Sequence, residues 1–286
     1  MTLRNRLVRP QILIAPGVYD GLTAALATDA GFEALYLSGA AVAYTRLGRP
    51  DIGLTTASEM TDTMALIADR TDLPVIMDAD TGFGNALNAR RTMQSYERAG
   101  ASALQIEDQV YPKKCGHFSD KSLISSAEMT GKISAMVDAR RHDTLIIART
   151  DAIAVEGFDA AIERAGAYID AGADMLFIEA PRDSGELKKI ADNFKGRVPL
   201  LANMVEGGTT PISSASTLQD MGYDVVIFPG GIVRALAKTA QNYYASLKKT
   251  GSNKSFSDQM HDFDGLNTAI GTPEMIALGE RFDGKS

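Results

Sequence analysis

The chain has 286 residues, is 45% hydrophobic, and sets 29 basic against 36 acidic side chains for a net charge of −7. That length can bury a large core, as two domains or as one α/β barrel. The acidic balance and scattered basic residues exclude a nucleic-acid surface as the main feature, and a single cysteine excludes an internal disulfide.

Three arginines, Arg4, Arg6 and Arg9, open the chain, and no signal-peptide core or membrane span follows them, since Pro16 and Gly17 interrupt the nearest apolar run. The expectation is a soluble, cytoplasmic protein with neither membrane nor nucleic acid as partner. Short runs rich in Val, Ile and Leu then alternate with segments of helical period, at residues 11–15, 34–38, 75–80, 103–108, 145–150, 175–180, 200–204 and 225–229. Their near-continuous apolar character is that of a parallel sheet covered on both faces. Ala30-Gly31-Phe32, Ala99-Gly100-Ala101, Ala171-Gly172-Ala173 and Met221-Gly222-Tyr223 stop the helices before runs two, four, six and eight. Pro74 and Pro199 do so before runs three and seven. Eight strands with intervening helices predict one (β/α)8 TIM-type barrel domain over residues 1–286. An open doubly wound sheet is the other reading, but its glycine fingerprint is missing at the first strand–helix turn. From residue 235 the pattern changes: a helix over 234–249 ends at Gly251 and a polar stretch leads to a less periodic tail. Residues 235–286 therefore read as a C-terminal helical extension that caps the barrel or reaches another subunit.

In such a barrel the chemistry sits where strands end at the carboxyl face. There the sequence places Ser38-Gly39-Ala40-Ala41, Asp78-Ala79-Asp80, Glu107-Asp108, Arg149-Thr150-Asp151, Glu179 and Asn203. Asp78 and Asp80, two apart, share a strand face. With Glu107 and Asp108 from the next strand they offer a hard oxygen site for Mg²⁺ or Mn²⁺. An Asp-x-Asp alone is more often a solvated turn; the second acid pair reverses that reading. Cys115 with His117, His142 and His261 lacks zinc-ligand spacing. Small residues at 38–41 either admit an anionic ligand to backbone N–H groups or pack tightly under a helix. Arg149 either pairs with the acids or clamps a substrate carboxylate at two points. The loop Lys113-Lys114-Cys115-Gly116-His117 follows the acids, and its cations would lower the thiol pKa toward neutral, suiting proton transfer.

Those motifs resemble the isocitrate lyase/phosphoenolpyruvate mutase superfamily from about Leu13 to the tail. The carriers are Ser38-Gly39, Asp78 to Gly84, Ile106 to Gln109, Lys113 to His117 and Ala148 to Ala152. The Lys-Lys-Cys-Gly-His loop resembles that of the carbon–carbon lyase branch, of the 2-methylisocitrate and 2,3-dimethylmalate lyase kind. The resemblance implies direct Mg²⁺ binding by Asp78, with Asp51, Asp80 and Glu107 acting through water. It implies Cys115 as catalytic acid/base beside Arg149, His117, Lys113 and Glu179, on a loop that closes over substrate. Substrate binding falls to Ser38, Gly39, Ala40 and Tyr36, together with Gly116 and Asn203. Phe177 either touches a substrate methyl or is simply core. The resemblance also implies an eighth helix swapped between subunits in a dimer of dimers, a homotetramer, acting on a small carboxylate.

The implied reaction cleaves the C2–C3 bond of a 2-hydroxy di- or tricarboxylate, giving an α-keto acid such as pyruvate plus succinate or propionate. Ala40, Gln105 and Phe118-Ser119-Asp120-Lys121 differ from the usual methylisocitrate lyase pattern, whereas residues 177–181 and 203–208 look more like 2-alkylmalate lyases. Oxaloacetate hydrolysis or decarboxylation and phosphonomutase-like chemistry are alternatives on the same scaffold, and a non-catalytic ligand-binding barrel is a further one.

Overall fold

The apolar runs close on themselves as a parallel barrel in chain order, with the eighth strand paired to the first. The computed structural model describes residues 1–116 and 120–284. The strands are β1 (Leu13–Val18), β2 (Leu35–Leu37), β3 (Val75–Asp78), β4 (Ala103–Glu107), β5 (Leu145–Thr150), β6 (Met175–Ile178), β7 (Leu200–Asn203) and β8 (Val225–Phe228). Six of the expected runs overshoot the strand by one or two residues at the carboxyl end. Those residues, Ser38, Ala79-Asp80, Asp108, Glu179-Ala180, Met204 and Pro229, open the site-bearing loops and lie beyond the ladder.

The first run is misplaced. β1 starts two residues later than expected and runs through Pro16 and Gly17, the pair that seemed to break it. Pro16 sits in register with Phe228, and a side chain at Gly17 would run into the backbone of Pro229. Glycine is there because β1 and β8 approach too closely for a Cβ.

Helices alternate with the strands: α1 (Leu3–Leu7), α2 (Gly21–Asp29), α3 (Gly39–Val42), α4 (Ala57–Arg70), α5 (Ala86–Arg98), α6 (Ser126–Ala139), α7 (Ala152–Val155), α8 (Phe158–Asp170), α9 (Ser184–Phe194) and α10 (Ala215–Met221). The four glycine stops all adopt left-handed backbone, at φ +83, +104, +104 and +109, which only glycine takes without strain. α4 begins with a reciprocal cap between Thr56 and Glu59, a device worth about 1 kcal/mol.

Inside the barrel, alternate strand residues form the core: Leu13, Ala15, Tyr36, Ile76, Ile147, Phe177, Leu201 and Ile227 among them. Leu3, carried by α1, joins that cluster and closes its lower end. Burying each large apolar side chain contributes roughly 1.5–3 kcal/mol, so the filled interior holds the strand ends rigidly in place.

The chain divides into two compact units, Met1–Ile232 with the barrel and Val233–Ser286. The second holds most of α11 (Gly231–Thr250), then α12 (Phe263–Ala269) and α13 (Thr272–Glu280). In it Tyr243 packs edge-on against Phe256 with ring centroids 5.5 Å apart. Phe263, Met275, Ile276 and Phe282 are exposed, up to 83% at Phe263. Among the described residues no helix is long and apolar enough to cross a membrane.

Candidate active site

Period-two alternation decides which strand-end acids meet. On β4 Gln105 and Glu107 point into the barrel, and Asp108 must point out. Asp108 accordingly accepts hydrogen bonds from Thr150 Oγ1 and Tyr168 OH, each at 2.7 Å, and from the Asp151 N–H at 3.0 Å. It is therefore no part of the oxygen site expected from the Glu107-Asp108 pair. Asp78 and Asp80 do converge, but by a turn rather than a shared strand face. β3 stops at Asp78, and the chain turns through left-handed φ values at Asp80 (+46), Gly82 (+79) and Phe83 (+59).

Asp78 is fixed from three sides. Its carboxylate accepts from the N–H of Asp80 at 3.1 Å, the N–H of Gly39 at 3.3 Å and Gln105 Nε2 at 3.3 Å. Gly39 can approach because it lacks a Cβ, which would sit 3.0 Å from Asp78 Oδ2. Ser38 caps α3 by accepting from the Ala41 N–H at 3.2 Å, and Ala40 lies between them in its first turn. Tyr36, expected to touch substrate, belongs to the barrel core, and its hydroxyl donates to Gln105 Oε1 at 2.7 Å. Gln105 thus relays between Tyr36 and Asp78. An in-phase polar residue two before Glu107 in an apolar strand was the signal that could have found it.

Lys113 enters this acid cluster from the cysteine loop. Its ammonium lies 2.5 Å from Asp51 Oδ1 and 2.8 Å from Asp80 Oδ1, with all three side chains nearly inaccessible. Burial opposes its charge, but Asp80, Asp51, Glu107 and Asp78 together hold it protonated well above the ordinary lysine range. Burial raises the Asp80 carboxyl to about 6, with Lys113 opposing and Asp78 and Asp51 adding to the rise. Glu107 is likewise pushed up by burial, against the pull of Arg149. Lys113 is thus committed to the acids, and the Lys114 ammonium donates to the Asp120 carbonyl at 3.0 Å. Cys115 itself is half-buried, and His117 lies outside the described residues.

On the neighbouring strand β5, Arg149 is held by carboxylates. It makes a two-point pair with Asp151 at 2.9 and 3.1 Å, and lies 3.2 Å from Glu107 Oε2 and 3.5 Å from Glu179 Oε2. Phe177 lies in the barrel core with its ring 5.1 Å from the Arg149 guanidinium carbon. Asn203 Nδ2 donates to Glu179 Oε2 at 3.0 Å. Gly116 fits against this group: a Cβ there would come within 2.8 Å of Glu179 Cγ and closer still to the guanidinium. Among the described residues, Glu107 Oε1 and Asn203 Oδ1 are buried acceptors with no hydrogen bond.

Among the described residues, six carboxylates (Asp51, Asp78, Asp80, Glu107, Asp151 and Glu179) thus face three buried cations (Lys113, Lys121 and Arg149). Excess buried negative charge is costly unless a proton or cation offsets it. Among the described residues no three Asp, Glu, His or Cys side chains form a set of direct metal ligands. Mg²⁺ takes one or two carboxylates and keeps several waters, so an all-oxygen cluster with one well-fixed acid, Asp78, fits it. Asp51 and Lys121 gave no patterning signal, since each lies in an irregular segment.

A model of the phosphoenolpyruvate phosphomutase family matches residues 3–248. The chain belongs to that family. Within the phosphomutase family it is 48% identical to a 2-methylisocitrate lyase of Aeropyrum pernix, over 91% of this chain and 83% of that protein. It is 42% identical to the 2,3-dimethylmalate lyase of Eubacterium barkeri, over 94% and 93%. Among solved structures, a 2,3-dimethylmalate lyase superposes with a TM-score of 0.94 at 35% identity, covering 99% of this chain and 95% of that one. Oxaloacetate acetylhydrolase bound to 3,3-difluorooxalacetate also gives 0.94, at 32% identity, covering 100% and 97%. A phosphonopyruvate hydrolase in complex with oxalate and Mg²⁺ gives 0.88 at 29% identity, covering 99% of each chain.

Proposed function

We propose that the protein is a Mg²⁺-dependent carbon–carbon lyase that cleaves the C2–C3 bond of a 2-hydroxy di- or tricarboxylate. The substrate is of the 2-methylisocitrate or 2-alkylmalate type, and the products are an α-keto acid such as pyruvate and a carboxylic acid such as succinate or propionate. One observation carries this reading: the thiol-bearing segment brings Gly116 against Arg149 and Glu179, beside a buried acid cluster. A protonatable thiol beside an oxygen-rich anionic site is what cleavage followed by carbon protonation requires, and the position of Gly116 supports assigning that role to the adjoining Cys115.

Asp78 would hold the cation directly, with Asp51, Asp80 and Glu107 acting through water; Mn²⁺ has the same ligand preferences. Bound there, it would polarise the C2 oxygen and its neighbouring carboxylate. The small residues Ser38, Gly39 and Ala40 receive the α-keto acid carboxylate. The C2 hydroxyl gives its proton to a carboxylate of the acid cluster and its O–H electron pair becomes the second C2–O bond; the C2–C3 pair stays on C3, and the Cys115 thiol gives its proton to that carbon. Arg149 and His117 offset the charge of the leaving fragment, and Glu179 with Asn203 orients the substrate end that Arg149 faces. Lys113 offsets part of the negative charge of the acid cluster. Closure of the loop excludes water during the step.

A Cys115→Ser variant tests the thiol. It is expected to retain Mg²⁺ and pyruvate binding and to lose cleavage by roughly 10²–10⁴-fold, the usual worth of a general acid. Undiminished turnover would remove Cys115 from the mechanism.

The superposition on oxaloacetate acetylhydrolase favours one second reading, hydrolysis of oxaloacetate on this scaffold. Oxalate release from oxaloacetate, with no cleavage of any alkylmalate, would select it.

The single thiol and absence of disulfides suit a reducing cytoplasm. The exposed apolar side chains of α12 and α13 support assembly as a homotetramer, a dimer of dimers in which this C-terminal helical extension is exchanged between subunits.

A further inference from the structure

Lys121 is one of the most deeply buried charges of the barrel unit, with its side chain 1% exposed. Its ammonium donates to Asp151 Oδ1 at 2.7 Å and to the carbonyl of Gly116. Asp151 is the same carboxylate that holds Arg149 at two points, and Gly116 adjoins Cys115 and lies against Arg149 and Glu179. One ammonium therefore joins the backbone beside the thiol to the partner of the guanidinium.

The base of this loop is secured separately. The Val110 N–H donates to the Ser122 carbonyl at 2.8 Å, and Gln109 makes a two-point contact with the Lys114 backbone at 2.9 and 3.0 Å. These contacts are local to the loop. Lys121 instead reaches across to β5. Arg149 already donates to both Asp151 oxygens, so Lys121 is a second cation on that carboxylate. Buried ion pairs are weak contributors to stability, because desolvation offsets most of the attraction. Fold stability alone therefore does not account for a lysine here, and placement of the loop is the further reason.

We propose that Lys121 is a positioning residue that fastens the Cys115-Gly116 backbone over the barrel mouth and, through Asp151, sets the plane of Arg149. Thiol placement and guanidinium alignment are then achieved together. The consequence for turnover rests on the lyase reading above; the consequence for the loop does not.

Cys115 is the only cysteine, so alkylation by iodoacetamide reports on that segment alone. Wild type, Lys121→Met and Lys121→Arg are compared for alkylation rate in Mg²⁺ and pyruvate, for pyruvate affinity and for turnover. Lys121→Met is expected to be alkylated at least ~10-fold faster and to lose roughly 100-fold in kcat, the scale of a small misplacement of reacting groups. Pyruvate affinity should stay within about twofold, and Lys121→Arg should recover most of the loss, because its charge and donors remain. Alkylation and kcat unchanged in Lys121→Met would overturn the proposal. So would a joint loss of affinity and turnover with alkylation unchanged, which marks general damage. If Lys121→Met does not fold, Lys121→Gln carries the same two expectations and the same two refutations. Absence of turnover in wild type would defeat the lyase reading, while alkylation would still decide the fastening.

Discussion

Asp151 shows how a buried carboxylate stays charged. Burial alone would raise it, yet Arg149 and Lys121 bring it from an ordinary 3.8 down to about 2. A carboxyl depressed in the folded state stabilises the fold above its unfolded pKa and loses that contribution as pH falls through the folded value. The contribution is on the order of 2 kcal/mol, present above about pH 4 and lost toward pH 2. Urea unfolding across that window should show wild type losing stability more steeply than Asp151→Asn. Parallel curves for the two proteins would show that Asp151 does not carry the effect. Little of this was legible in the sequence. Arg149-Thr150-Asp151 was visible as a strand end, but nothing in residue type tells which of its neighbours an aspartate will serve. Asp108 makes the same point in reverse: it reads as a second metal acid beside Glu107, and strand alternation turns it to Thr150 and Tyr168 instead.

At the level of elements, the eight apolar runs and four glycine stops were legible because burial on both faces and left-handed helix ends demand those residue types. What escaped was where each strand stops. Residues 79–84 look like strand followed by a glycine-rich loop, and the turn that brings Asp80 back toward Asp78 is set by φ values no composition reveals. Gly82 is one of its demanding positions. At φ +79, an added Cβ would also lie 3.0 Å from Ala89 Cβ and Ile106 Cδ1. Gly82→Ala should destabilise the protein by about 1–3 kcal/mol. It should also weaken Mg²⁺ binding measured by calorimetry, because Asp80 rides on the same turn and its carbonyl accepts from the Glu107 N–H at 2.9 Å. A lower melting temperature with unaltered Mg²⁺ affinity would make the turn structural only.

For the whole molecule, the change of pattern after residue 235 was legible, and the structure separates Val233–Ser286 as a unit of its own. Its exposed Phe263, Met275, Ile276 and Phe282 are too apolar a set to leave in water at working concentrations. Sedimentation should give the mass of four chains of 30.5 kDa each. Phe263→Ser combined with Met275→Ser should shift that mass downward, and a wild-type monomer would contradict the assembly.

Catalysis is the claim on which the rest depends. The protein, with Mg²⁺, is given a panel of 2-hydroxy acids that includes 2-methylisocitrate and 2,3-dimethylmalate, and α-keto acid release is followed with a coupled dehydrogenase. Pyruvate should form from at least one of them, and chelation by EDTA should abolish it. No α-keto acid from any member, or release that persists undiminished in EDTA, would contradict a Mg²⁺-dependent lyase.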